Sequence, residues 1–272
     1  MCKAWQLVFS CFSLCALVKR CLKLELKEFF AAHPKIALAF SGGVDSAYLL
    51  YAAKQLGAEV RAYYVKTAFQ PQFELDDAKR LAEALHADMT VLLVDILSDT
   101  RVAANPANRC YFCKKSIFSS ILHAASADGF TTLIDGTNAS DDAGDRPGMQ
   151  ALRELKVYSP LRDCGLTKAD VRRLSKEAGL FTWNKPAYAC LATRIPAETP
   201  ITPEDLARTE KAEDYLSSLG FTDFRVRQMG NAAKLQLPDA QLAHIVEARE
   251  QIVTTLKQWY STVLLDLEVR DE

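Results

Sequence analysis

The sequence predicts an α/β protein: a parallel sheet with helices on both faces, followed by a small α+β domain. Three observations predict it. Short apolar runs alternate with helix-period segments from about residue 23 to residue 135. Strands and helices alternating at this spacing imply a parallel sheet. A Ser-Gly-Gly-Val-Asp-Ser turn at residues 41–46 joins the first apolar run to a helix. After Pro186 the order becomes helix, strand, strand, helix, strand, which describes a separate module. Domains are expected at 23–185 and 186–272, with residues 1–22 as an extension outside the core.

In chain order, Leu22, Leu24, Leu26, Phe29 and Phe30 suggest an amphipathic helix ending near His33-Pro34. Lys35–Phe40 is a short apolar run with the character of a buried strand. Ala47–Leu56 is predicted helical and is closed by Gly57. Glu59–Val65 is a second strand, Glu74–Leu85 a helix, Met89–Val94 a third strand. Cys110–Ala127 is mostly helical, and Thr131–Ile134 is a fourth strand ending at Asp135-Gly136. Pro196, Pro200 and Pro203 mark a connector. Pro203–Leu219 is a helix capped by Thr202, with Pro at its first position. Phe224–Gln228 and Ala233–Leu237 are strand-like, Asp239–Trp259 is a further helix, and Thr262–Val269 is a last strand.

Composition bounds the function. Of 272 residues, 49% are hydrophobic and 25% charged, an ordinary globular balance that excludes a disordered, collagen-like or coiled-coil chain. Lys plus Arg number 33 against 34 for Asp plus Glu. A nucleic-acid binder usually shows a basic excess, so no nucleic-acid partner is expected, although a nucleotide needs only a local site. The apolar stretch Leu7–Val18 is followed, not preceded, by its main positive charge (Lys19-Arg20), and no small-residue cleavage site follows. It also falls short of the roughly 20 residues of a spanning helix, so no membrane role is expected. The 8 Cys in a chain of this length read as reduced thiols of a cytoplasmic protein, not as a secreted disulfide scaffold.

The sharpest local signal is Ser41-Gly42-Gly43-Val44-Asp45-Ser46. Adjacent glycines allow a tight turn and bring N–H groups close to an anion. The helix that follows offers free N–H groups and its positive dipole end. Ser41 and Ser46 add hydroxyls. Asp45 in such a site implies a bridging Mg²⁺ or a helix cap. The pattern lacks the Gly-Lys-Ser/Thr of a Walker loop. Gly136, in Asp135-Gly-Thr-Asn138, follows the fourth strand and faces the crevice where open α/β sheets bind ligands. Cys110-Tyr-Phe-Cys113 is a C-x-x-C, open to four readings: redox pair, zinc half-site, iron–sulfur ligands, or packing. Zinc wants a fourth ligand, and only His123 and Cys164 are near in sequence. Arg225 and Arg227 sit two apart on a strand and share a face, which suits either a bidentate anion site or a plain solvated face. His33, His86, His123 and His244 share no spacing and are expected to be structural.

The hexapeptide behind an alternating strand–helix chain resembles the PP-loop ATP pyrophosphatases. That superfamily splits ATP between its α and β phosphates, adenylylates an oxygen, and lets a nucleophile displace AMP. The set DGTN (135–138), DRPG (145–148), WNKP (183–186) and ACLATRIP (189–196) resembles one branch, the LarE family of ATP-dependent sacrificial sulfur transferases. The likeness runs from about Lys23 to the C-terminus. It implies a PP-loop fold and ATP with Mg²⁺, bound through Ser41, Gly42, Gly43, Asp45, Ser46 and Gly136, with Asp45 on the metal. It implies a role in making the nickel-pincer nucleotide, the lactate racemase cofactor. There the carboxylates of pyridinium-3,5-bisdicarboxylate mononucleotide become thiocarboxylates.

Single-cysteine members give up their own sulfur and are left with dehydroalanine. Here Cys190 stands in the sulfur-donor segment beside Cys110 and Cys113, and three thiolates with one open iron would hold a [4Fe-4S] cluster able to carry an extra sulfide. Direct chemistry at Cys190, and a zinc or structural role, remain the alternatives. Thr193, Arg194, Arg225 and Arg227 would meet the substrate phosphate, with Arg146, Lys185 and Glu213 in weaker standing. Trp183 and Tyr188 would pack the core or stack on the pyridinium ring. Sulfide or another sulfur source and a homo-oligomer are expected as partners. The rivals are a tRNA thiolase, an amide synthetase of the same superfamily, and an ATP-binding regulator without turnover.

Overall fold

The computed structural model describes residues 25–141 and 147–270. Residues 1–22 and Arg146 therefore lie outside the described residues. The chain divides into two compact units. Among the described residues the first holds those up to Val65, within Asp76–Leu92 and within Ile117–Lys185; the second holds Lys66–Leu75, Leu93–Ser116 and those from Pro186.

The first unit is built on a four-stranded sheet. Residues 25–32 are helical (α1) and lead into β1 (Lys35–Ala39), α2 (Val44–Gln55), β2 (Glu59–Lys66), α3 (Gln72–Ala84) and β3 (Asp88–Leu93). The sheet closes with β4 (Thr132–Ile134), and the strand order is β3-β2-β1-β4. β1 pairs in parallel with β2, Ile36 opposite Val60, and with β4, Ile36 opposite Thr132. Ile36, Ala37 and Leu38 are fully buried, which is why this strand has no polar alternation. Helices flank the sheet, as the sequence predicts. Strand order moves one way from β1 to β3 and returns to β4 on the other side of β1. The gap beyond the carboxyl ends of β1 and β4 is thus a topological switch point. Both glycine-bearing segments, 41–46 and 135–138, leave the sheet there.

Between β3 and β4 come α4 (Thr100–Ala103) and α5 (Arg109–Ala127). After β4 come α6 (Pro147–Glu154), α7 (Pro160–Asp163) and α8 (Lys168–Glu177), then two 3₁₀ turns, Phe181–Asn184 and Leu191–Arg194. α8 opens on a full capping box: Thr167 accepts from the Asp170 backbone N–H and the Asp170 carboxylate returns to the Thr167 N–H.

The second unit carries a three-stranded sheet. α9 (Pro203–Ser218) begins as predicted, with Thr202 accepting from the Asp205 N–H. β5 (Arg225–Met229) and β6 (Ala232–Gln236) pair antiparallel; β7 (Thr262–Leu265) adds in parallel to β6. The predicted helix Asp239–Trp259 is instead a 3₁₀ turn, α10 (Leu242–Glu247) and α11 (Arg249–Leu256), interrupted at Ala248 with ψ of 2°. Ile245, Ala248, Ile252 and Leu256 keep helical spacing and all lie in one core with Leu216, Phe221 and Val226. Their period gives no sign of the break. The last strand is also shorter than Thr262–Val269, because Leu267 and Val269 are exposed and have no core to face. Among the described residues no helix is long and apolar enough to cross a membrane.

Candidate active site

In the first unit the chemistry-bearing turn sits between β1 and α2. Helix α2 starts at Val44, three residues earlier than expected, so Asp45 and Ser46 lie in its first turn. Gly43 precedes it, and no side chain caps it. Helix-terminal N–H groups left without a side-chain cap are an anion cradle. Ser41 and Ser46 brace the turn. Their hydroxyls stand 3.2 Å apart, the Ser46 hydroxyl donates to the Gly43 carbonyl, and the Gly43 N–H donates to the Ser41 hydroxyl. Gly42 has φ of +71°, and a Cβ there would stand 3.0 Å from the Ala78 Cβ. A Cβ on Gly136 would stand 2.9 Å from the Ser46 backbone nitrogen. The end of β4 therefore presses against the first turn of α2, and only glycine permits it.

Asp45 makes no cap; its carboxylate pairs with Lys168 and accepts from the Asn138 amide at 3.2 Å. Asn138 closes the DGTN segment. Asp135 is buried and accepts from the Ser159 hydroxyl at 2.7 Å, which fixes the turn after β4. Lys168 escaped the sequence reading because nothing in its neighbourhood marks it; its role comes from a partner 123 residues away. One carboxylate beside a helix start fits the usual Mg²⁺ arrangement, in which phosphate oxygens and waters complete the shell.

In the second unit three thiols come together. Cys110 and Cys113 lie in the first turn of α5, three apart and so on neighbouring positions of one face. Cys190 precedes the 3₁₀ turn Leu191–Arg194. Cys110 is exposed, and Cys113 and Cys190 are half-buried. Burial, then the neighbouring Cys190 and Cys110, push the Cys113 thiol up to about 12. Burial also raises Cys190, opposed chiefly by the Arg109 guanidinium and then by Arg194, while Cys110 adds to the rise. Each sulfur is thus within electrostatic reach of the others. Among the described residues no three His, Cys, Asp or Glu are arranged to hold a single metal ion. A cluster takes one thiolate per iron, so these three thiols would be its donors. Cys164 belongs to the first unit, buried, and is pushed up to about 11 by burial and by Glu25, Asp163 and Glu28.

A cationic cluster lies in the same unit as the thiols. Arg194 is 1% exposed, and Glu213 holds it from Nε at 2.7 Å. Its remaining donors reach Glu213 again, the Ala189 carbonyl and the Thr193 hydroxyl. Glu213, which the sequence left between a solvent face and a role, is buried; it also accepts from the Tyr188 hydroxyl at 2.6 Å and the Val226 N–H at 2.9 Å. Tyr188 lies under both Arg194 and Arg225, 4.8 and 5.4 Å from ring centre to guanidinium carbon. Arg225 donates to the Phe224 and Ala187 carbonyls, and Arg227 to the Thr193 carbonyl. Both lie on β5. Burial, then Arg194 and Arg270, pull both guanidinium groups below their ordinary value. Arg225 and Arg270 also share the Asp223 carboxylate, at 3.6 and 3.2 Å.

Trp183 and Lys185 are in the first unit: the Lys176 ammonium lies 4.5 Å from the Trp183 ring centre, and Lys185 pairs with Asp77 at 2.7 Å. The histidines take packing roles where their surroundings are resolved: His33 stacks on Phe29 and His244 on Phe221.

A glycine turn at the switch point of a parallel sheet, opening an uncapped helix, defines a PP-loop ATP-using enzyme. Residues 35–116 match the family described as queuosine biosynthesis protein QueC. The pyridinium-3,5-bisthiocarboxylic acid mononucleotide synthase of Lactiplantibacillus plantarum is 34% identical over 236 residues, 86% of each chain. An uncharacterized protein of Synechocystis is 37% identical over 254 residues, 90% of this chain and 94% of its own length. A tRNA-specific 2-thiouridylase of Clostridium botulinum is 26% identical over 182 residues, 55% of this chain and 52% of its own. The chain belongs to the LarE family of ATP-dependent sulfur transferases.

Proposed function

We propose that the protein uses ATP to convert the carboxylates of pyridinium-3,5-bisdicarboxylate mononucleotide into thiocarboxylates, a step toward the nickel-pincer nucleotide. The observation that carries this reading is that Arg109, next to Cys110, bonds the Ala192 carbonyl two residues past Cys190, which brings the two thiol-bearing segments together in the unit that also holds the Arg225–Arg227 strand. The relative from Lactiplantibacillus plantarum is named for the bisthiocarboxylic product.

The residues divide the work. The 41–46 turn, with Gly136 behind it, grips the polyphosphate through backbone N–H groups. Asp45 would hold Mg²⁺ against the phosphate oxygens, a neutralisation worth most in a site that excludes water. A substrate carboxylate oxygen attacks the α-phosphorus, the bond to the bridging oxygen breaks, and pyrophosphate leaves. A sulfur nucleophile then attacks the acyl carbon, and the carbon–oxygen bond to AMP breaks with the electron pair on AMP. Arg225, Arg227 and the Thr193 hydroxyl would hold the substrate phosphate, with Arg194 contributing charge from beneath. Cys110, Cys113 and Cys190 would hold a [4Fe-4S] cluster, which when bound supplies a site for an exchangeable sulfide. Sulfide or an equivalent sulfur source would then replenish the donor, and the chain would act as a homo-oligomer.

Anaerobic purification with iron and sulfide analysis tests the cluster. About four irons per chain are expected, falling near zero in Cys113→Ala. Wild-type protein without iron overturns the cluster, leaves the ATP chemistry standing and gives sulfur donation to Cys190.

A further inference from the structure

Arg109 and Asn105 lie in the second unit, and neither belongs to any motif that marks the family resemblance. Arg109 is 8% exposed and immediately precedes Cys110. Its guanidinium donates to the Ala192 carbonyl at 3.0 Å and to the Asn105 side-chain oxygen. Ala192 is two residues past Cys190. One side chain therefore spans from the C-x-x-C helix to the Cys190 loop.

Asn105 extends the same bridge. It is 1% exposed, with a left-handed φ of 57°, a conformation Asn tolerates better than most residues. Its amide donates to the Pro196 carbonyl at 2.7 Å and to the Thr199 carbonyl at 2.9 Å. Its own carbonyl accepts from the Glu198 N–H at 2.9 Å. The Ala107 N–H donates to the Glu198 carboxylate at 3.1 Å, and the Ile201 N–H to the Ala103 carbonyl at 2.8 Å. The segment after Cys190 is thus strapped along the segment before Cys110. A second tie holds the same loop, from the Leu191 N–H to the Phe69 carbonyl at 2.9 Å.

We infer that Arg109 and Asn105 form a brace that sets the separation of Cys190 from Cys110 and Cys113, making them positioning residues for sulfur delivery and not for carboxylate adenylylation. The inference rests on the sulfur-transfer reading above. A buried Arg is a costly way to tie two loops unless the tie must be stiff: both bonds leave one nitrogen, Nη1, and the low-dielectric surroundings strengthen each. Misplacing reacting groups by about 1 Å can cost on the order of 10²-fold in rate. The brace spans the interval between the two thiol-bearing segments, where such an error would fall.

The test compares wild type, Arg109→Met and Arg109→Lys, each folded by thermal melt. Two quantities are read. The first is thiocarboxylate formed relative to substrate-stimulated ATP–pyrophosphate exchange. The second is the rate of Cys190 alkylation by iodoacetamide in iron-free protein, followed by peptide mass spectrometry. Arg109→Met is expected to lower the first about tenfold or more with exchange retained; the second is read in Arg109→Lys, which keeps the positive charge that opposes the rise at Cys190, and is expected to speed severalfold. Arg109→Lys retains the charge but sets its one nitrogen differently, and in the first quantity it falls between. A wild-type ratio in Arg109→Met together with wild-type alkylation in Arg109→Lys overturns the brace, as does a parallel fall of exchange and sulfur transfer in a stably folded variant. If wild type fails to use the pyridinium substrate, the sulfur-transfer reading fails instead, and the alkylation rates alone still decide whether the brace exists.

Discussion

Gly136→Ala is expected to cut ATP–pyrophosphate exchange on the order of 10²-fold while the protein still folds. The added methyl would lie 2.9 Å from the Ser46 nitrogen and 3.2 Å from its Cα, both backbone atoms of the first turn of α2. Backbone cannot swing aside as a side-chain tip can. Either the end of β4 or the helix start must retreat, and the N–H groups proposed to grip the polyphosphate move with it. Overpacking of this kind costs about 1–3 kcal/mol, within what a domain of this size tolerates. Gly57→Ala provides the comparison. Gly57 has φ of +80° and open space around its would-be Cβ, so that variant suffers backbone strain without a collision near the loop. It should exchange pyrophosphate like wild type. Equal exchange in Gly136→Ala and wild type would contradict the loop as the nucleotide grip.

Glu213→Ala is expected to destabilise the fold by about 3–5 kcal/mol, because it leaves a buried guanidinium without its counter-charge. Arg194 and Glu213 expose 1% and 6% of their side chains. The same carboxylate also serves the Tyr188 hydroxyl and the Val226 N–H, so with Arg194 Nε and Nη2 one truncation orphans four donors. Glu250→Ala, whose partner Arg249 is 66% exposed, should leave the melt unchanged, since surface pairs contribute little. Urea or thermal unfolding reads both. A loss in Glu213→Ala no larger than in Glu250→Ala would mean that the network is not holding the Cys190 loop to β5.

Much of the fold was legible because burial and period agree. β1 has no polar alternation and is buried; the α9 cap and its Pro are read directly from Thr202-Pro203. The glycine turn was legible because few sequences place two glycines and an Asp between an apolar strand and a helix. Other features were silent. Ala248 interrupts a helix whose apolar spacing is perfect on either side. Lys168 meets Asp45, and Arg109 meets Ala192, through tertiary folding that no local pattern encodes. Glu213 read as part of a charged face, since Glu210, Lys211 and Asp214 surround it in sequence; its burial depends on Arg194, 19 residues away. Arg194 itself read as a free cation for substrate, whereas its guanidinium is taken up by protein acceptors.

The central claim is that this chain activates a pyridinium carboxylate with ATP and hands the acyl group to sulfur. The direct measurement is exchange of labelled pyrophosphate into ATP, with and without the pyridinium dicarboxylate mononucleotide, in wild type and Cys190→Ser, with thiocarboxylate followed by mass spectrometry. The account predicts substrate-dependent exchange in both proteins and thiocarboxylate only in the wild type. Exchange indifferent to the pyridinium compound, or thiocarboxylate formed at wild-type yield by Cys190→Ser, would contradict it.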